Sequence, residues 1–273
     1  MKQNNIEGET KTMNSDHLHN HEKEAQNLWE QAEQLEFIKG LKAGKSVAEI
    51  MSQLDAAKAF AEKPEELGCS DGRICEHRLG GAGNFILATA DEREKFVQEN
   101  KGKIKVVKSH DGCGAAGIKF KQMVEAGEPL PEGVTTADEL GIYYSKKLAE
   151  DLGAEYEHTG AEEMSGAVHN ERVIYLDGTV KFNPSALPEL PAGFMCSGSI
   201  LGLSPEYMKV ELETLAKIAL SDHGFDKRFN KKNPLYIVVS AKDKEQLAEL
   251  EKIAEQAAEP FDGRIKADGF IAE

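Results

Sequence analysis

The sequence predicts an α/β fold in which a central, mostly parallel β-sheet is flanked by helices, with an N-terminal helical arm and an antiparallel hairpin extension. Short apolar segments at 66–69, 104–108 and 235–240 alternate with longer segments of helical periodicity, as in parallel sheets with crossover helices. Asp177-Gly178 stands between two strand-like segments, which is a strong hairpin signal.

The charge balance limits the classes of function. The 273 residues include 33 Lys and Arg against 48 Asp and Glu, a formal net charge of −15. Such a negative charge disfavours sequence-independent binding to nucleic acids, because their phosphate backbones are also negative. No apolar run approaches the roughly 20 residues that cross a bilayer, and the N-terminus lacks the apolar core of a signal peptide. We therefore expect a cytoplasmic protein with no nucleic-acid or membrane partner.

The N-terminal segment differs in composition from the rest of the chain. It is polar and nearly free of large apolar side chains, which is typical of a disordered tail. His17, His19 and His21 alternate within it, but this spacing in a flexible segment is weak evidence of a metal site. No internal repeat is visible in the sequence. The expected division is a tail at 1–24, a helical arm at 25–63 and one α/β domain at 64–273.

The expected arm contains two helices. The first starts near Glu24 and carries apolar residues at helical spacing as far as Leu41. The second begins at the capping-box pair Ser46 and Glu49 and ends before Pro64. These helices can cover the chain's own core or wrap a partner subunit.

The elements of the domain follow in order. A strand at 66–69 ends at Cys69, and a strand at 104–108 ends beside His110. Between them, 85–90 fits a strand or a helix start, and a helix capped by Asp91 and Glu94 follows it. The later elements are helices at 115–125 and 136–152, hairpin strands at 172–176 and 179–182, a loop at 187–204, a helix from Ser204-Pro205, a strand at 235–240, a helix at 243–257 and a strand at 263–271.

Three side chains of the domain are candidate metal ligands. Cys69 and His110 stand at the ends of two strands, and Cys113 begins the next helix. The carboxyl ends of parallel strands meet at one edge of a sheet, so we expect these residues to converge. The helix N-terminus favours the thiolate of Cys113, which is the form that binds metal. Zinc suits such ligands, and three of them leave a fourth position for water.

Other notable residues have less distinctive settings. Cys75 and Cys196 lack partners at ligand spacing, so packing is their expected role. The glycine-rich run at 80–83 lacks the Gly-Lys-Ser/Thr ending of a phosphate loop, and we expect it to serve close backbone packing. Candidates for proton transfer are His77, His158, His169 and His223.

Two short motifs contain the expected ligands. Cys69, Asp71 and Arg73 form the pattern C-x-D-x-R, and His110 and Cys113 belong to H-x-x-C-G. Together with the Gly-Ala-Gly-Asn segment that lies between them, these motifs resemble the β-class carbonic anhydrases. The resemblance covers about residues 66–125, and the interval between the motifs is shorter than is usual in that family.

The resemblance implies a set of roles. Cys69, His110 and Cys113 would bind Zn2+, and Asp71 and Arg73 would be the catalytic pair. The reaction would be the reversible hydration of CO2 to bicarbonate by a hydroxide on zinc, whose O–H would donate a hydrogen bond to Asp71 while Arg73 holds the carboxylate. In this family the same Asp can instead take the fourth zinc position. The resemblance also implies a homodimer or a higher homo-oligomer.

Two other functions are compatible with these residues. A related zinc hydrolase would use the same site on COS or CS2. A noncatalytic zinc-binding regulatory module would close the site with a fourth protein ligand, such as Asp71 or Cys75. The presence of both Asp71 and Arg73 favours catalysis, because a structural site needs neither.

Overall fold

A computed structural model describes residues 15–73, 77–164, 169–222 and 224–272. Predictions about residues 1–14, Cys75, His223 and the side chains of residues 15–21, which include the alternating histidines, lie outside the described part. In chain order the helices are α1 (Ser15–Glu33), α2 (Glu36–Lys42), α3 (Val47–Met51), α4 (Ala90–Asn100), α5 (Gly114–Ala126), α6 (Ala137–Leu152), α7 (Pro205–Ala219) and α8 (Lys244–Ala258). The strands are β1 (Glu66–Gly68), β2 (Leu79–Gly80), β3 (Val106–His110), β4 (Glu155–Thr159), β5 (Val173–Asp177), β6 (Gly193–Cys196), β7 (Leu235–Ala241) and β8 (Ile265–Ile271).

Two parallel four-stranded sheets flanked by helices form the centre of the fold, which confirms the α/β class. Their strand orders are β2-β1-β3-β4 and β6-β5-β7-β8, and every ladder between these strands is parallel. In each sheet the first strand in the chain lies between the second and the third. The two halves of the chain therefore share one topology, although the sequence shows no repeat.

The two sheets meet at the edge strands β2 and β6. The backbone N–H of Ser197 donates to the carbonyl of Gly80 at 2.8 Å, and that of Met195 donates to the carbonyl of Ser70 at 2.9 Å. A Cβ atom at Gly80 would lie 2.2 Å from the carbonyl oxygen of Met195, so only glycine allows this approach. The close packing expected of the glycine run is confirmed at this residue. The C-terminal half thus lies directly against the loop after β1.

The predicted antiparallel hairpin at Asp177-Gly178 is wrong. β5 already has β6 on one side and β7 on the other, so no edge is free for a hairpin partner. Oδ1 of Asp177 accepts hydrogen bonds of 2.7 Å from the backbone N–H and the hydroxyl of Thr179, and one of 2.9 Å from Ser240. The aspartate therefore forms a local turn that leads the chain out of the sheet.

The N-terminal arm packs on the chain's own core. Trp29 on α1 makes edge contacts with Phe225 and Phe229, at ring-centroid distances of 5.1 and 5.3 Å. α1 begins at Ser15 and so includes 15–24, which were predicted to belong to the tail. The reason is that adding turns to a helix already fixed by packing needs no new nucleation. Among the described residues, no helix is both long and apolar enough to span a membrane.

Most helices begin at or within two residues of their predicted caps. The capping boxes at Ser46 and Thr136 are both present. α4 begins two residues earlier than the predicted pair Asp91 and Glu94 implies, because Thr89 is its N-cap and pairs with Glu92 in a capping box. These caps set the helix starts without reference to the tertiary fold.

Candidate metal site

Three predicted ligands converge at the carboxyl edge of the first sheet. Cys69 follows β1, His110 ends β3, and Cys113 is the N-cap residue of α5. The two sulfur atoms lie 3.8 Å apart, and the possible ligand atoms of all three side chains lie within 4.8 Å of one another. All three residues are buried. This group can hold a metal ion.

The donor atoms fit an ion. Nδ1 of His110 lies 2.8 Å from the carbonyl oxygen of Asp111, so this nitrogen carries the proton and donates it to that oxygen. Nε2 then has a free lone pair with which it can bind a metal ion. Nε2 is buried and has no hydrogen-bond partner among the described residues, an arrangement that a bound cation would satisfy. Two sulfurs bonded to one tetrahedral ion at about 2.3 Å lie about 3.8 Å apart, which matches the observed separation.

The two thiols and the imidazole perturb one another. The hydrogen bond from Cys113 lowers the pKa of Cys69 well below that of a free thiol, although burial opposes this. The same contact, together with burial, raises the pKa of Cys113, and the smaller effect of the N–H groups of Ala115 and Ala116 at the helix N-terminus does not reverse this. The expected thiolate at Cys113 is therefore wrong for the metal-free chain. Burial lowers the pKa of His110, but the neighbouring Cys69 and Asp71 raise it to about 9. A bound cation would replace these protons as the partner of the sulfurs and the ring.

A left-handed turn wraps the sulfur of Cys69. Gly83, Asn84 and Phe85 have φ angles of 55°, 55° and 62°, and the N–H of Gly83 donates to Sγ of Cys69 at 3.2 Å. The side chain of Asn84 donates to the carbonyl of Lys108 at 2.8 Å. This turn therefore ties Cys69 to β3.

Asp71 and Arg73 form a buried ion pair next to the three ligands. Arg73 donates from Nε to Oδ1 of Asp71 at 3.0 Å and from Nη2 to Oδ2 at 2.7 Å. Oδ2 also lies 4.0 Å from Nε2 of His110. Burial raises the pKa of Asp71, but the hydrogen bonds of Arg73 and the nearby charges hold it well below its usual range. Asp71 is thus a carboxylate aimed at Arg73 beside the possible metal position.

Two glutamates that the sequence did not single out support this site from the C-terminal half. Glu211 is fully buried and accepts hydrogen bonds from the N–H of Ala82 at 2.6 Å and the hydroxyl of Ser70 at 3.4 Å. Glu171 accepts one from the N–H of Gly72 at 3.0 Å. The signal for Glu211 was available in the sequence, because a carboxylate there interrupts the apolar face of α7.

The candidate proton carriers lie in different settings. His169 contacts Arg73 at the site, with Nε2 3.2 Å from Nη2. His158 lies 3.1 Å from the carboxylate of Asp111. His77 is half-buried. Cys196, the last residue of β6, is fully buried, as expected of a packing residue.

The fold and the site together define a parallel α/β protein with a buried group of two cysteines and one histidine beside an Asp–Arg pair. No family model, curated protein or solved structure matches the chain. A functional assignment therefore depends on the geometry of the site.

Proposed function

We propose that this protein is a zinc-dependent carbonic anhydrase of the β type, which reversibly hydrates CO2 to bicarbonate. The observation that carries the proposal is the buried Asp71–Arg73 pair, whose carboxylate lies 4.0 Å from Nε2 of His110. A metal that only stabilises the fold needs no such pair beside its ligands. A metal that activates water does need a neighbouring group that accepts a hydrogen bond or a proton from that water.

The donor set supports zinc as the ion. Two thiolates and one neutral imidazole balance the charge of Zn2+ and are ligands that it prefers. Cys69, His110 and Cys113 would hold the ion. When bound at a site with three protein ligands, zinc supplies Lewis-acid activation of a water molecule near neutral pH.

Asp71 and Arg73 direct the attack on CO2. The carboxylate of Asp71 stays ionised at neutral pH, so it accepts a hydrogen bond from the attacking water and turns a lone pair of that oxygen toward carbon. Arg73 binds both oxygens of the carboxylate in a fork that keeps the acceptor in place. That water gives up one proton to solvent buffer, a C–O bond forms as one C=O π bond opens, and CO2 and water thus yield bicarbonate and one proton.

The alternatives make different demands on Asp71. COS or CS2 would use the same residues, with selectivity set by the walls of the substrate pocket. A noncatalytic module would require a fourth protein ligand, either Asp71, which would have to leave Arg73, or Cys75, which lies outside the described residues. The short hydrogen bonds between Asp71 and Arg73 favour the catalytic arrangement.

Stopped-flow CO2 hydration on metal-quantified protein tests the proposal. We expect wild type to carry one zinc and hydrate CO2, Asp71→Ala to keep zinc and lose most activity, and Cys113→Ser to lose zinc. Bound zinc without hydration between about pH 6 and 9, a range around a water pKa of about 7, would refute the enzyme but leave the metal site. Turnover of COS or CS2 alone would assign the other substrate class.

A further inference from the structure

We propose that Glu171 and His169 are positioning residues that hold Arg73 and thereby keep Asp71 away from the metal ligands. This inference rests on the function proposed above, because it names what keeps the fourth metal position open to water. Both residues precede β5 in the C-terminal half of the chain, whereas Asp71 and Arg73 follow β1. One half of the molecule would thus control the site of the other.

A continuous series of hydrogen bonds joins Glu171 to Asp71. Oε2 of Glu171 lies 3.3 Å from Nδ1 of His169, and Nε2 of His169 lies 3.2 Å from Nη2 of Arg73. The same Nη2 donates to Asp71 at 2.7 Å. The other oxygen of Glu171 accepts the N–H of Gly72 at 3.0 Å. Glu171 therefore holds the backbone of this loop directly and its arginine through His169.

The donors and acceptors in this series determine the tautomer of His169. A guanidinium only donates hydrogen bonds, and a carboxylate only accepts them. Nδ1 of His169 must then carry the proton and donate to Glu171, which leaves Nε2 to accept from Arg73. A proton on Nε2 would face an N–H of Arg73. The repulsion between these two donors would displace Arg73 and weaken its hydrogen bonds to Asp71. The ring of His169 is buried against Phe194, with 5.6 Å between ring centroids, so it cannot rotate freely.

A second cation site is the competing explanation of this cluster. Ligand atoms of Asp71, His169 and Glu171 lie within 4.8 Å of one another. Arg73 argues against an ion there, because its guanidinium already contacts both Asp71 and His169. A cation would add a like charge beside the guanidinium at a buried position. The cluster therefore acts to hold Arg73.

NMR of the metal-free protein tests, without any activity measurement, whether His169 donates to Glu171 and accepts from Arg73. Burial lowers the pKa of His169, but Glu171 and Asp71 raise it above the ordinary value of 6.5, so the spectra are recorded above that raised pKa. Long-range 15N–1H spectra there should show His169 neutral with its proton on Nδ1, the signal being assigned by its loss in His169→Gln. In Glu171→Gln an amide N–H can face Nδ1, so we expect the proton to move to Nε2. Glu132→Gln, at an exposed position, should leave the signal unchanged. A wild-type His169 with the proton on Nε2, or on both nitrogens, overturns the proposal.

Cobalt substitution tests the consequence for the metal, because the visible spectrum of Co2+ depends on its ligands. In Glu171→Gln we expect a changed spectrum as Asp71 joins the ligands, and no such change when Asp71→Asn is added. His169→Gln can still accept from Arg73 and should keep the wild-type spectrum, whereas His169→Leu should resemble Glu171→Gln. The zinc form of Glu171→Gln should hydrate CO2 about 10–100-fold more slowly at unchanged zinc content.

The outcomes separate this inference from the proposed function. A wild-type spectrum in Glu171→Gln, or a change that persists with Asp71→Asn, contradicts the positioning role. A cobalt protein that shows the expected spectra but never hydrates CO2 contradicts the proposed function alone. Failure of wild type to bind any cobalt or zinc removes both.

Discussion

Sγ of Cys69 and Sγ of Cys113 lie 3.8 Å apart, although 44 residues separate them in the chain. β1 carries the first sulfur to the carboxyl edge of its sheet, and the N-terminus of α5 carries the second to the same place. Two buried thiols at this distance, beside an imidazole nitrogen with no described partner, could share a cation.

Replacing either sulfur should abolish tight metal binding. We expect Cys69→Ser and Cys113→Ser to weaken zinc affinity by more than the ~10–100-fold typical of losing a residue that only supports a ligand. Competition with a chromogenic chelator measures this. Cys196→Ser is the matched control, since Cys196 is also a buried free cysteine. Equal affinity in Cys113→Ser and Cys196→Ser would show that the sulfurs do not bind the ion.

A side chain at Gly83 should weaken zinc binding, because it would crowd the sulfur of Cys113. A Cβ atom there would lie 3.3 Å from Sγ of Cys113 and 2.9 Å from Ile86, whereas one at Gly133 would meet nothing within 4 Å. Both glycines have positive φ, so Gly83→Ala and Gly133→Ala should each lose about 1–2 kcal/mol of stability from the left-handed backbone. Only Gly83→Ala should also lose zinc affinity, and unchanged affinity in both would contradict the packing described here.

Arg73→Lys should show whether activity depends on the positive charge at residue 73 or on its two hydrogen bonds to Asp71. Lysine keeps the positive charge but cannot make the two-pronged contact with Asp71. We expect CO2 hydration to fall about 10–100-fold while zinc content stays the same. Arg228→Lys, which alters an arginine that bonds Gln26 of the arm, is the control. Full activity in Arg73→Lys would mean that the fork is not needed.

Glu211 should make stability depend on pH. Burial raises its pKa from the ordinary value of 4.5 to about 7, so between these values the folded chain binds a proton that the unfolded chain has lost. Stability from this group is therefore complete below pH 4.5 and declines as the pH rises toward 7. Glu211→Gln lacks this decline. Denaturant unfolding should show the stability of Glu211→Gln relative to wild type rising across that interval, and a constant difference would contradict the assignment.

Much of the fold could be predicted because its signals are local. The caps at Ser46 and Thr136 need only neighbouring residues, and so do the left-handed glycine stops at Gly127 and Gly153. The missed strand β6, placed by the sequence in a proline-rich loop, is defined by pairing with β5. The hairpin prediction failed for the same reason, since Asp177 is bonded to Ser240 of β7, 63 residues away.

In the candidate site, too, the residues with local sequence signals could be predicted, and the residues that reach it from distant parts of the chain could not. Cys69, His110 and Cys113 could be predicted because each stands at the end of a recognisable strand or the start of a helix. Glu171 and Glu211 could not be assigned, because they reach the site across 99 and 129 residues of chain. Their roles depend on how the two sheets meet, which no local pattern records.

Titration of the metal-free protein with zinc, followed by stopped-flow CO2 hydration, tests whether bound zinc makes this protein hydrate CO2. We expect the hydration rate to rise in proportion to bound zinc and to stop rising at one zinc per chain, with Cys113→Ser inactive at every zinc concentration. Stoichiometric zinc binding with no rise in hydration above the Cys113→Ser baseline would contradict the proposed function.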